Sequence, residues 1–484
     1  MSVSDVITSV RGHLDFGPDY DKGRYMDRWH IILCILAAVL IVVNWTRMYD
    51  NCFWGDEVYS ITTSQKSFSD IVYYCFHWDA NPFLYYMVLR VICLIVGWTP
   101  FAYHFSAMLP YILIIILSVT VIYRTFGKTA SLTFMVMATF LESAVFYIPE
   151  ARMYELGVFT VLASYLSLYF VLKEGKARHY LLFIISTVCA GLTHYYCLIA
   201  VAFLYIVLIL DIMITERKKT KKVVRFALLL VVIAACCCAP VLYERFTTVT
   251  GDFWITEYMS FFDCIKYLFS SKISLIIFAV FLIALVIMLY RLFVNNSNRG
   301  KGVMKHFRNM DSETVWVIAG IISLFGTIGV GLYISVTFTP MLIERYLFPA
   351  TVIAWLLLAV GLSRCDIHKT LKTCIPVAIA LCLLFAGIPN MVQMLDTEHS
   401  NETSHNEIMD VTQDYVDDGY IIVTDMNHLN QNVLDYYYPG NTHLYIDNYD
   451  VPTLDHSKKY LLLCGVLHTL EDRKESGRTG VHHQ

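Results

Sequence analysis

Long apolar stretches constrain this chain more than any other feature of its sequence. Of its 484 residues, 57% are hydrophobic and 16% are charged, whereas a soluble domain is about 25% charged. A helix needs about 17–25 mostly apolar residues to cross a bilayer. By that measure the sequence predicts eleven spans, near residues 29–46, 101–123, 131–148, 154–172, 180–193, 196–214, 223–243, 272–292, 314–337, 346–363 and 373–390.

One further apolar stretch, residues 83–98, decides the orientation of everything after it. It is short and carries Arg90 in its middle. If it does not cross, five loops holding nineteen Lys and Arg residues lie on the cytoplasmic side, and eight lie opposite. This distribution obeys the positive-inside rule. We therefore predict an interfacial helix at 83–98, a cytoplasmic N-terminus, a C-terminus outside the cytoplasm, and multi-pass insertion in the cell (plasma) membrane.

The last part of the chain, residues 391–484, is more polar than the rest. Residues 419–424, 443–446 and 459–464 have the pattern of buried strands, and 427–438 that of a helix. The predicted fold class is thus an all-α polytopic membrane bundle with a small C-terminal α/β domain outside the cytoplasm. The predicted boundaries are a cytoplasmic segment at 1–28, a membrane domain at 29–390 with its first external loop at 49–100, and the α/β domain at 391–484.

Ionisable and aromatic residues gather on the predicted external side. Asp56 and Glu57 directly follow the first span, and charge beside a bilayer is costly and commonly functional. Simpler interpretations exist. The two acids could cap a helix, Arg152 and Arg345 could reach to the interface, and His194 could be a hydrogen-bonded turn residue.

Four short motifs on that side resemble the GT-C superfamily of membrane glycosyltransferases, in the branch of the protein O-mannosyltransferases and the aminoarabinose transferases of lipid A. They are residues 54–57 (WGDE), 79–86 (DANPFLYY), 150–154 (EARMY) and 344–349 (ERYLFP). The branch has a second proline where this chain has Phe83. Members of this branch move a sugar from a polyprenyl phosphate to an acceptor outside the cytoplasm, and some use a divalent metal.

The resemblance implies an inverting transfer to a glycolipid, wall polymer or protein of the cell envelope. Asp56 would be the general base and Glu57 would orient the acceptor or the base. The remaining candidate site residues divide into donor and phosphate binding (Arg152, Arg345, Tyr346, Tyr154, His194) and site lining (His77, Asp79, Asn81, Tyr85). No motif has unmistakable metal-ligand spacing, so the sequence leaves metal use open.

Two other classes of protein fit part of the pattern. A membrane polysaccharide polymerase or ligase would also keep its chemistry outside the cytoplasm. A transporter or flippase for lipid-linked sugars would place its ionisable residues near the bilayer midplane, whereas here they lie at the external rim. No basic, aromatic-interleaved stretch suggests nucleic acid.

Overall fold

The structure is a computed structural model, and most of the chain can be described from it. The described residues are 28–48, 52–79, 81–215, 255, 257–271, 273–297, 310–364, 369–424, 428–441, 443–445, 455 and 457–463. The predicted span at 223–243 and the segment 1–27 lie outside them.

Helices make up nearly all of the first half of the described chain. In chain order they are α1 (Arg28–Trp45), α2 (Gly55–Gln65), α3 (Phe68–His77), α4 (Leu84–Val96), α5 (Pro100–Leu117), a π-helical turn (Ser118–Ile122), α6 (Tyr123–Phe126), α7 (Lys128–Phe140), α8 (Glu142–Tyr147), α9 (Tyr154–Glu174), α10 (Ala177–Thr193) and α11 (Tyr195–Thr215). The predicted span at 131–148 is wrong as a single helix. Leu141 adopts an extended conformation there and separates α7 from α8.

The second half of the described chain adds six helices and a small sheet. They are α12 (Phe261–Tyr267), α13 (Ser274–Ser297), α14 (Ser312–Thr337), α15 (Glu344–Arg364), α16 (Lys369–Asp417), β1 (Ile421–Thr424), α17 (His428–Tyr437), β2 (His443–Tyr445) and β3 (Tyr460–Leu463). The strands are parallel in the order β2-β1-β3. The boundary predicted at residue 390 falls inside α16, a single helix of 49 residues, so secondary structure is continuous across it.

Within the described residues, six helices are long and apolar enough to cross a membrane. These are Arg28–Trp45, Pro100–Phe126, Tyr154–Glu174, Tyr195–Ile214, Ser312–Thr337 and Glu344–Arg364. Their burial differs, and the difference locates the centre of the bundle. The apolar windows of α9 and α15 are 78% and 89% buried, against 28% for α1. Helices α9 and α15 therefore form the centre, and α1 turns most of its surface to the surroundings.

The central helices also pack closely at one of their ends, which is the end that bears the candidate motifs. A Cβ added to Gly157 of α9 would lie 2.9 Å from both the Cys197 Sγ of α11 and a side-chain carbon of Pro349 in α15. Atoms do not approach that closely, so glycine is what lets the three helices meet here. The residues just before them in sequence are thereby brought together.

The segment between α1 and α5 begins and ends on this same side. Arg47, just after α1, donates to the carbonyl of Val145 at 2.6 Å, and His104, in the first turns of α5, bonds the carbonyl of Pro149 at 2.6 Å. Helix α4, at 13 residues, is about 20 Å long, against about 30 Å of hydrocarbon. This geometry agrees with the prediction that 83–98 does not cross.

Candidate active site

The first turn of α2 presents the two adjacent acids in different directions. Glu57 is buried, and its Oε1 accepts the Ala151 N–H at 2.7 Å while its Oε2 accepts the Trp54 N–H at 3.3 Å. An acid is favoured there because the first turn of a helix has unsatisfied N–H groups and positive polarity. Glu57 thus ties α2 to the irregular segment before α9. The N-cap residue of α2 is Trp54, and Glu57 caps the helix by accepting the Trp54 N–H, whereas Asp56 takes no part in the cap.

Asp56 points instead into a pair of arginines from distant parts of the chain. Arg345 Nη1 donates to Asp56 Oδ2 at 2.9 Å, and Arg152 Nη2 lies 3.5 Å from the same oxygen. Arg152 also donates to the Asp56 carbonyl at 3.0 Å and to Ser60 Oγ at 2.9 Å. Arg152 and Arg345 therefore do not reach outward to an interface. They converge on one carboxylate.

His194 and three tyrosines form the aromatic wall beside the arginines. The imidazole of His194 packs on Tyr154 and Tyr346, with ring centroids 6.2 and 5.0 Å away. Its Nδ1 accepts the Tyr196 N–H at 3.2 Å, which leaves Nε2 as the protonated nitrogen. Burial, helped by the nearby Arg152 and Arg345, lowers the pKa of His194 to about 3. The ring is therefore a neutral donor near pH 7.

Four helices begin at this cluster: α2 one residue before Asp56, α9 just after Arg152, α11 just after His194, and α15 one residue before Arg345. Helix N-termini carry partial positive charge and unpaired N–H groups. Two guanidinium groups add full positive charge, and Asp56 offsets only part of it. The arrangement favours an anion with several oxygen atoms, for which arginine has the matching geometry.

Asp79 and Asn81, from the second motif, are hydrogen-bonded to each other, and Asp79 is buried. Asp79 Oδ1 accepts both the backbone N–H of Asn81 at 3.0 Å and its side-chain amide at 3.2 Å. Burial raises the pKa of Asp79, while Tyr86, Asn81 and Arg152 act in the opposite direction. The influence of Arg152 shows that this carboxyl lies within electrostatic reach of that arginine.

The other two predicted site-lining residues differ in position: His77 makes its described contacts within α3, and Tyr85 lies within electrostatic reach of Arg152, Glu57 and Glu150. His77 is exposed, and its ring stacks on Tyr73 of its own helix with centroids 4.0 Å apart. Tyr85 is fully buried, and its hydroxyl bonds Ser106 Oγ of α5 at 2.7 Å. The described contacts of His77 thus stay on α3, and the hydroxyl of Tyr85 serves the packing of α4 on α5.

Glu150 is a site residue that motif reasoning did not select. Its side chain is 6% exposed, and neither carboxylate oxygen has a hydrogen-bond partner among the described residues. Burial raises the pKa of Glu150 well above its usual value, with a further contribution from Glu57. A buried acid without a partner is rare enough to need an explanation. The sequence signal for Glu150 was its place at the start of the third motif, two residues before Arg152.

The described residues do not form a metal site. Across those ranges, no three His, Cys, Asp or Glu side chains lie close enough together to hold one metal ion. The central carboxylate, that of Asp56, is paired with the guanidinium groups of Arg152 and Arg345.

Known proteins were compared with the chain at three levels. No protein-family model matches it, and no curated protein sequence matches it. Among solved structures, the chain is similar to ArnT from Cupriavidus metallidurans in the apo state, with a TM-score of 0.51 over 86% of this chain and 85% of that chain. ArnT is an aminoarabinose lipid A transferase. This chain therefore shares the fold of ArnT.

Sequence identity over the alignment with ArnT is 12%, so the similarity concerns the fold. It confirms the predicted all-α membrane bundle and the resemblance in fold to the aminoarabinose transferase branch. With six helices of spanning length, it also makes the chain a multi-pass membrane protein.

Proposed function

We propose that this protein transfers a sugar from a polyprenyl-phosphate donor to an acceptor outside the cytoplasm, with inversion at the anomeric carbon. The observation that carries the proposal is the pairing of Asp56 with Arg152 and Arg345 where four helices begin. A sugar phosphodiester needs a cationic site for its phosphate and a carboxylate for the attacking hydroxyl. This one cluster contains both.

The donor phosphate would bind to the two guanidinium groups. It would compete there with Asp56, whose Oδ2 both arginines approach. Nε2–H of His194 and the hydroxyl of Tyr346 lie at the same cluster as further donors. The prenyl chain would lie in the apolar grooves between the helices. Fixed cations of this kind stabilise the charge that develops on a leaving phosphate.

Binding of the phosphate would free the carboxylate of Asp56 for base chemistry. The acceptor hydroxyl would give its proton to Asp56 while its oxygen attacks the anomeric carbon from the face opposite the phosphate. The bond between that carbon and the phosphate oxygen breaks, and the lipid phosphate leaves with the electron pair. A carboxylate suffices as base because the phosphate leaves without strong acid assistance.

The other predicted residues would support this centre. Tyr154 would shape the donor pocket together with His194, and Asp79 and Asn81 would line it, with Asp79 within electrostatic reach of Arg152. Glu57 would hold the segment that carries Arg152 through the Ala151 N–H. Its role would thus be to position the site, and the substrate would not touch it.

Two lines support the extracytoplasmic side and the class of donor. The positive-inside count favours a cytoplasmic location for the loops at the opposite end of the helices. The fold is that of ArnT, an aminoarabinose transferase. We therefore expect a lipid-linked sugar as donor and an envelope glycolipid, wall polymer or protein as acceptor.

The test is Asp56→Asn in the purified protein, supplied with radiolabelled polyprenyl-phosphate sugars and envelope extracts. We expect transfer and release of lipid phosphate to fall at least about a hundredfold. Asp70→Asn is the matched control, since Asp70 is exposed in the same loop and bonds Ser67. A near wild-type rate for Asp56→Asn would disprove the base assignment. Movement of intact donor across vesicles without phosphate release would favour a transporter.

A further inference from the structure

The C-terminal helix α17 reaches the loop that leads into α2. It packs against α2, and the Tyr437 hydroxyl accepts the N–H of Phe53 at 2.9 Å. Phe53 is three residues before Asp56 but 384 residues from Tyr437. The contact therefore joins the far end of the chain to the approach of the candidate base.

Phe53 is enclosed on several sides, so its backbone has little freedom. Its ring is 3% exposed and packs against His104 at 5.0 Å, Tyr103 at 5.5 Å and Tyr436 at 6.2 Å between centroids. A buried N–H requires an acceptor, and the Tyr437 hydroxyl provides it.

The next residue, Trp54, connects Phe53 to the candidate site through its own contacts. Its N–H donates to Glu57 Oε2, and its indole lies 5.8 Å from the guanidinium of Arg345. Its carbonyl accepts the N–H groups of Glu57 and Val58 and so begins α2. A shift of Phe53 would move Trp54, and with it the first turn of α2, which carries Asp56.

Tyr437 itself is held by the long helix α16. The ring of His405, a buried residue of α16, packs on Tyr437 at 4.5 Å. The adjacent Tyr438 is buried in a small cluster with Ile422 and Leu434, against which Tyr437 also packs, and its hydroxyl lies near Thr412 of α16. Neighbouring hydroxyl groups thus serve the site and the C-terminal packing separately.

We propose that Tyr437 is a positioning residue for Asp56, acting through the Phe53 N–H. The part concerning catalysis rests on the proposed glycosyl transfer. Removal of the hydroxyl leaves the aromatic packing on His405 intact but deprives a buried N–H of its acceptor. The loop before α2 should then relax, and the geometry of the reacting groups should loosen while the donor's phosphate contacts persist.

The test compares Tyr437→Phe with Tyr438→Phe in the full-length protein. Each variant loses one buried or half-buried hydroxyl from consecutive residues. For Tyr437→Phe we expect kcat to fall about tenfold with the donor KM within about twofold, because small misplacement in a site costs rate more than binding. Amide hydrogen exchange in a peptide covering residues 52–58 should accelerate at least about tenfold. Tyr438→Phe should change neither quantity.

Several results would overturn the proposal. One is a Tyr437→Phe protein with wild-type exchange in residues 52–58; another is an equal acceleration in both variants, which would indicate general loosening. A KM that rises while kcat is unchanged would also contradict it. If the wild-type protein transfers no sugar from any polyprenyl phosphate, the proposed function fails. The exchange comparison then decides by itself whether Tyr437 orders the approach to α2.

Discussion

Glu57→Gln separates a positioning role for this acid from a role in contacting substrate. In the structure the two carboxylate oxygens accept two different backbone N–H groups, from Ala151 at 2.7 Å and Trp54 at 3.3 Å. Glutamine keeps the shape but has only one acceptor oxygen, and its NH2 group cannot accept a hydrogen bond. One of the two N–H groups must therefore face another donor.

The size of the effect follows from these contacts. A hydrogen bond to a charged group contributes roughly 1.5–3 kcal/mol, and a buried donor left unsatisfied costs about 1–3 kcal/mol. The Glu57 side chain is 5% exposed, so water does not compensate. We expect the free energy of unfolding to fall by about 2–3 kcal/mol. Transfer activity should fall as well, because the segment carrying Arg152 loses its tie to α2.

The assay is equilibrium unfolding in mixed detergent micelles, with Glu313→Gln as the control. Glu313 pairs with Arg364 at 2.9 Å, but both side chains are partly exposed, and such pairs contribute about 0–1 kcal/mol. The structure thus predicts a larger loss for Glu57→Gln than for Glu313→Gln. Equal losses, or a fully stable Glu57→Gln protein without activity, would refute the positioning role and favour direct contact with substrate.

Two further variants test the role of Arg345 and the protonation of Glu150. Arg345→Ala should weaken donor binding about 10–100-fold and acceptor binding much less, because it removes a charged hydrogen-bond donor. Binding titrations with each substrate measure this effect, and Arg345→Lys should recover part of the lost donor affinity. Equal weakening of donor and acceptor binding would contradict the phosphate role. Glu150→Gln should stabilise the protein near neutral pH. Because burial raises the folded-state pKa of Glu150, unfolding increasingly releases its proton as the pH rises above the ordinary glutamate range, and the native state loses stability there. Below that range both states are protonated and the two proteins should unfold alike; a stability difference that does not change with pH would refute this explanation.

Much of the site was predictable because its residues lie next to apolar runs. Asp56, Arg152, His194 and Arg345 each border a run that becomes a helix, and the charge distribution placed them all on one side. In the structure these four residues also lie at one end of the bundle, the end at which α1 ends and α5 begins. The C-terminal strands and α17 also form close to their predicted positions, since a short apolar run bounded by polar residues is a local signal for a buried strand.

The pairing of the side chains was not predictable, because it depends on contacts between distant segments. A pair of adjacent acids does not tell which one meets arginines; the direction of each side chain in the first turn of α2 decides it. Likewise, His77 appeared equivalent to Asp79 in sequence, yet one is exposed on its own helix and the other is buried. The break at Leu141 and the continuous helix across residue 390 also depend on packing, since apolar composition alone does not report where a helix bends or ends.

The sequence by itself determined that the chain is a membrane bundle with acids and arginines at one rim, because hydrophobicity and charge act through the bilayer and need no tertiary contact. Only the tertiary structure decided that Asp56 lies between Arg152 and Arg345 and that Glu57 holds the backbone. It also showed that Tyr437 reaches Phe53 from the other end of the chain. Hydrogen bonds extend over about 3 Å, and which groups come that close depends on how the whole bundle packs.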